Sequence, residues 1–197
     1  MGRYIGTTEL REYLSPDNTL GTSQNALLDS CITRAEAAID NYTRRSFATV
    51  QDTKYYSRHV ARIVGQALYL PEDLYQAGTI ISGNGQNIPI GSIWFEPRNL
   101  GPPYRVVRLY SMFVWTFNTD GEIKITGGWG YSGTAPADIV QATVRTAAYL
   151  YRGKDSGFGA VDATGFTDGG EAAFAKSIPD DVRWTLSPYR SRTGGVV

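Results

Sequence analysis

A chain of 197 residues can bury an apolar interior, as one compact domain or as a small core carrying an inserted lobe, so it requires neither a disulfide staple nor a structural metal. Nineteen Lys and Arg balance nineteen Asp and Glu, which removes the basic excess of a protein built to grip phosphate tightly. Cys31 is the single cysteine, which excludes an internal disulfide and suits assembly in a reducing, intracellular compartment.

The first residues, Met1-Gly2-Arg3-Tyr4-Ile5-Gly6, run into polar sequence without a signal-type apolar core, and no stretch approaches the roughly 20 apolar residues that span a bilayer. The expectation is a soluble, unprocessed chain without a membrane partner. Gly6 stands where a myristoylation motif requires Ser or Thr.

A short helix is predicted over residues 7–14, capped by Thr7 or Thr8, with Leu10, Tyr13 and Leu14 on one side. Ser15-Pro16-Asp17-Asn18 ends it. Thr22 or Ser23 then caps a longer helix to about residue 44, along which Leu28, Ile32, Ala35, Ile39 and Tyr42 recur at spacings of four, three, four and three. Ala35, Ala37 and Ala38 let a neighbouring helix approach closely, and Arg34, Glu36, Asp40 and Arg44 are expected on the solvated side.

Between residues 53 and 129 the helical period disappears, and short aromatic and β-branched stretches alternate with Gly, Asn and Pro breaks. Strands are expected at 54–59, 67–70, 79–82, 92–95, 105–109, 114–117 and 122–126, paired antiparallel. Ser82-Gly83-Asn84-Gly85 and Asn118-Thr119-Asp120-Gly121 are the turn sequences.

Helix returns after Gly133, with Pro136 in its first turn and Asp138 at the positive end of the dipole, and runs to about residue 152. Val140, Val144, Ala147 and Tyr151 repeat at four, three and four residues, widened by Ile139, Ala142 and Leu150, so this helix is expected to pack on the Leu28 to Tyr42 seam. Residues 153–171 hold six glycines in nineteen positions, and a mobile loop is expected because little burial offsets its backbone entropy. A last short helix follows Ile178-Pro179, with Asp180 and Asp181 in its first turn, Val182, Trp184 and Leu186 available to pack, and Pro188-Tyr189-Arg190 ending it.

The fold class is therefore α+β: a small antiparallel helical bundle, with the long N-terminal helix on the Pro-started one, carrying an inserted antiparallel β lobe and a C-terminal arm. The expected organisation is residues 1–50 and 130–153 as helical core, 51–129 as β lobe, and 154–197 as flexible Gly-rich segment and arm.

The search for chemistry yields no catalytic, cofactor or metal site. His59 is the only histidine, so it builds no metal cluster, and nothing local supplies the orienting carboxylate and nucleophile that a catalytic base needs. Cys31 falls near the apolar seam, where a buried, inert thiol is expected. Glu72 and Asp73 are adjacent in a Pro-led turn and read as surface charge rather than as an acid/base dyad. Gly127-Gly128-Trp129-Gly130 lacks the Lys and Ser/Thr of a phosphate loop, so its glycines read as a turn. Four Trp and thirteen Tyr fit core and interface better than sugar stacking, although Trp94, Trp115 or Tyr104 on the β lobe leave a carbohydrate-binding module as the alternative function. A hydrolase with an unusual carboxylate site is the other rival, and it needs acids that converge from distant strands.

Three separated stretches, in matching order, resemble the head-tail connector, or adaptor, family of tailed phages and gene transfer agents. Residues 27–47, ending Tyr42-Thr43-Arg44-Arg45-Ser46-Phe47, resemble that family's opening helix. Ile123-Lys124-Ile125-Thr126-Gly127-Gly128-Trp129-Gly130-Tyr131 followed by Ala135-Pro136-Ala137-Asp138-Ile139-Val140-Gln141-Ala142 resembles its final strand, glycine turn and Pro-started helix. Ile178-Pro179-Asp180-Asp181-Val182-Arg183-Trp184-Thr185-Leu186-Ser187-Pro188-Tyr189-Arg190 resembles its closing segment. The stretches cover less than half of the chain, and residues 53–109 are longer than in smaller members.

The resemblance implies a virion neck protein, made in the host cytoplasm, that assembles as a ring of twelve below the portal and above a stopper or tail-completion protein, with double-stranded DNA passing through. It is neither an enzyme nor a cofactor protein on this reading. Zero net charge suits a conduit, because many phosphate contacts would hold DNA tightly. Ile178, Pro179, Val182, Trp184, Leu186, Tyr189 and Arg190 are the residues expected to dock on the portal. Leu28, Ile32, Ala35, Ile39, Tyr42, Val140, Val144, Ala147 and Tyr151 are expected at the core or inter-subunit seam.

Overall fold

The computed structural model describes residues 3–17, 19–110, 112–119, 121–153 and 178–191; the predicted Gly-rich loop and the last six residues lie outside them. The chain divides into two compact units, a helical one formed by Arg3–Arg44 with Pro136–Ser191, and a β unit formed by Arg45–Ala135. The described residues are α+β, with four α-helices and a seven-stranded antiparallel sheet among them.

In the helical unit, α1 spans Thr7–Leu14, α2 Asn25–Thr43, α3 Ala137–Arg152 and α4 Asp180–Leu186. The predicted threonine cap of α1 is not used: Gly6 is the extended N-cap residue, and its N–H donates to the Glu9 carboxylate at 2.6 Å, so the acid three residues into the helix satisfies an otherwise orphaned donor. Thr22 and Ser23 do not cap α2 either, because a 3-10 turn over Thr22–Gln24 leads into it and supplies that bonding. Arg44 closes α2 in the left-handed region at φ 55°, its N–H bonded to the Asp40 carbonyl.

The buried face of α2 is Leu28, Cys31, Ile32, Ala35, Glu36, Ile39 and Thr43. Four of the five predicted seam positions are on it; Tyr42 is half-buried. Glu36 departs from its expected solvated place. On α3 the buried stripe includes Ile139, Thr143, Thr146, Ala147, Leu150 and Tyr151, while Val140 and Val144 are half-buried. The stripe is displaced by one residue because threonine can enter it: the Thr143 hydroxyl donates to the Ile139 carbonyl at 2.7 Å and so carries no unmet donor inside. α2 packs on α3, and α4 packs on α3.

In the β unit the strands are β1 Val50–Ser57, β2 Arg62–Val64, β3 Ala67–Ile81, β4 Asn87–Ile88, β5 Ile93–Glu96, β6 Tyr104–Leu109 and β7 Glu122–Trp129. Their order is β1-β7-β3-β6-β5, with β2 and β4 also paired to β3. The strands expected at 67–70 and 79–82 are the two ends of one 15-residue strand. Pro71, which cannot donate to a ladder, sits within the register shift between Tyr69 and Leu74, where no donor is demanded.

Gly127 and Gly128 are not a turn but lie inside β7. A Cβ at Gly127 would stand 2.2 Å from the Gln76 carbonyl oxygen, and one at Gly128 2.6 Å from the Thr49 methyl, so glycine serves close strand approach. The strand expected at 114–117 is reduced to a single bridge from Phe117 to Gly83. The turn at Ser82 forms as expected, with Gly85 at φ 86° and its N–H bonded to the Ser82 carbonyl. Leu68, Leu74, Ile80, Val107, Ile123 and Ile125 are fully buried and, with Tyr56 and Trp129, form the lobe's interior.

Candidate functional site

The residues that chemistry requires are dispersed. His59 is exposed in the turn after β1, and Cys31 is buried on α2. Glu72 and Asp73, neighbours in β3, lie within its register shift and meet different partners. Glu72 is exposed and pairs with Lys54 at 3.1 Å. Asp73 is not surface charge: it is 5% exposed and held by Arg105 at 2.6 Å and Arg45 at 3.3 Å. Arg45 also stacks over the Tyr131 ring at 5.2 Å. That arrangement neutralises a buried carboxylate and ties the start of the β unit to β3 and β6, a structural task.

A second group of acids lies on α2. The Tyr4 N–H donates to Glu36 at 2.8 Å and the Tyr4 hydroxyl to Asp40 at 2.5 Å, so the N-terminal segment is strapped to the helix by two carboxylates one turn apart. Burial pushes the Asp40 carboxyl up to about 6; the Tyr4 hydrogen bond opposes the rise and nearby Glu36 adds to it. The spacing could have revealed this, since Glu36 falls four after Ile32 and three before Ile39, inside the apolar face.

The rings considered for sugar stacking are not bare. The Arg98 guanidinium lies over Trp94 at 5.0 Å, with Tyr110 against its edge. Trp115 is half-buried and donates to the Gln66 carbonyl at 2.9 Å. Tyr104 packs on Phe95 with ring centroids 5.3 Å apart.

The predicted docking residues divide by environment. Ile178, Val182 and Leu186 are buried inside the helical unit, Pro179 and Tyr189 are half-buried, and Trp184 is 80% exposed. Arg145 pairs with Asp181, and the Tyr189 hydroxyl donates to Asp138 at 3.0 Å, so α4 is fastened to α3 at both ends. Arg183 and Arg190 lie over the Tyr42 ring at 5.8 and 5.2 Å. Beside them an open groove of about 480 Å³ is lined by Arg34, Ala37, Ala38, Asn41, Tyr42, Ile178 and Arg183. Trp184 thus stands outward on a fastened helix whose Arg183 lines the groove.

No protein-family model and no curated protein sequence matches the chain. Its fold recurs in solved structures of gene transfer agent (GTA) particles. A chain from the neck of an empty GTA particle computed with C6 symmetry is 19% identical at TM-score 0.63, over 98% of this chain and 92% of that one. A chain from the virion of a native GTA particle is 20% identical at TM-score 0.65, over 98% and 92%. One from the neck of a native GTA particle computed with C12 symmetry is 18% identical at TM-score 0.62, over 97% and 90%.

Proposed function

We propose that this chain is a structural, non-enzymatic subunit of a virion neck, a head-tail connector that forms a ring between the portal and a stopper or tail-completion protein and continues the DNA channel. The observation that carries the reading is fold likeness over nearly the whole chain to chains of neck structures, two of them computed with C6 and C12 symmetry. The symmetry suits a ring of twelve copies, in which each subunit presents two different complementary surfaces that close on rotation. The order of the three connector-like stretches supports it independently.

Trp184 is the docking anchor of this reading, with the portal as its partner, because Val182 and Leu186 are already buried in the subunit itself. Deleting this chain's gene tests the function: filled heads and finished tails are expected to accumulate unjoined in lysates viewed by electron microscopy. Normal yields of joined particles would contradict it.

A further inference from the structure

Charge is neutral overall but unevenly placed. Residues 45–135 carry eight Lys and Arg against six Asp and Glu, so the β unit is basic and the rest of the chain acidic. Within the β unit four of the eight cations are paired with carboxylates: Arg45 and Arg105 with Asp73, Lys54 with Asp52 and Glu72, Arg108 with Glu96. Among the described residues no carboxylate pairs with Arg58, Arg62, Arg98 or Lys124, and of these Arg62 and Arg98 lie over rings of the β2-β3-β6-β5 face.

Strand register puts the rings beneath these two arginines on one surface. Arg62 opposes Tyr69, Tyr69 opposes Val106, and Val106 opposes Glu96 in one cross-strand row. Val64, Ala67, Arg108 and Trp94 form the next row. Residues directly opposite in antiparallel strands share a face, and the alternate positions Leu68, Val107 and Phe95 belong to the interior. Arg62 lies over the Tyr69 ring at 5.3 Å and Arg98 over Trp94 at 5.0 Å. Tyr69 and Trp94 stand two strand spacings apart, roughly 10 Å.

A guanidinium stacked on a ring has lost much of its rotamer freedom, yet its N–H groups point outward around the rim of the plane. Such a fork matches the oxygens of a phosphodiester and forfeits little entropy on meeting them. An arginine lies over each ring and competes with base stacking, which favours backbone contact over single-strand recognition.

We infer that the outer face of β2, β3, β6 and β5 contacts the phosphate backbone of duplex DNA through Arg62 and Arg98. The identity of the polyanion rests on the neck reading above, in which duplex passes each subunit. Two such stacked arginines per copy give a weak, salt-sensitive contact that steadies the duplex without arresting it.

The test is fluorescence polarisation of the full chain with a labelled duplex at low salt, with the same sequence as a single strand and heparin as competitors. Weak duplex binding is expected, with log affinity falling against log salt at a slope of about −2. The double variant Arg62→Gln/Arg98→Gln is expected to lose about fivefold or more and to flatten that slope. Arg44→Gln/Arg152→Gln, with the same charge change on the helical unit, is expected to leave binding unaltered. Absence of duplex binding, equal loss in both double variants, or a preference for single strand would overturn the inference. Collar formation on portal rings is scored in parallel: a wild-type chain that joins the portal but ignores duplex ends this inference and spares the neck reading, and the converse result spares this surface.

Discussion

Asp40 and Glu36 occupy a helix face otherwise filled by Leu28, Ile32, Ala35 and Ile39, and Tyr4 is the reason they can. Two hydrogen bonds from one tyrosine, one from its backbone and one from its hydroxyl, partly replace the water that each acid gives up. The compensation is incomplete for Asp40, whose second oxygen is buried without a partner. A carboxyl raised from 3.8 to about 6 keeps its proton in the folded state at a pH where the unfolded chain has released it. Folding then takes up a proton between about pH 4 and 6, so this group's contribution favours the fold as pH falls through that window and is lost as pH rises past 6. Asp40→Asn is expected to remove that slope and to stabilise the protein at pH 7.5 by on the order of 1–2 kcal/mol. Urea unfolding of both proteins from pH 4.5 to 7.5 measures it, and parallel stability curves would show that Asp40 is ionised as readily in the fold as outside it.

The element that most changes its meaning between sequence and structure is α4. Its sequence offers Val182, Trp184 and Leu186 as one apolar set, but a helix turns about 100° per residue, so Val182 and Leu186, four apart, share a face that Trp184 cannot join. The structure buries the first two and leaves the tryptophan outward. Leu186→Ala is accordingly expected to cost roughly 3 kcal/mol of stability. Trp184→Ala is expected to stay within about 0.5 kcal/mol of the parent while reducing co-sedimentation with portal rings at least tenfold. Equal attachment of the Trp184 variant would remove the anchor from the account.

The same arithmetic separates what was legible in the sequence from what was not. Helices α1, α2 and α3 announce themselves by apolar spacing and by the Pro136 start, to within a few residues of their ends. The α3 stripe lies one position from its expected place because Thr143 looks polar until its hydroxyl is seen to bond within its own helix. In the β unit, Pro71 and the pair Gly127-Gly128 read as breaks because proline and glycine usually are. Here a long-range partner decides: the register shift opposite β6 accommodates Pro71, and the Gln76 carbonyl leaves Gly127 no room for a side chain. The cation and ring pairs Arg62 with Tyr69 and Arg98 with Trp94 needed the strand register, which one sequence does not carry.

At the scale of the whole molecule, two units share the work unequally. The helical unit buries apolar residues of α2, α3 and α4 and leaves Trp184 outward; the β unit carries the net positive charge and stacks arginines on its rings. Ring assembly would repeat both features around an axis. Averaged electron-microscopy images of the purified chain mixed with portal rings from the same genome test this most directly. The account predicts an added collar of twelve copies with an open central hole, coaxial with the portal. Portal rings that gain no density, with the chain remaining monomeric beside them, would contradict it.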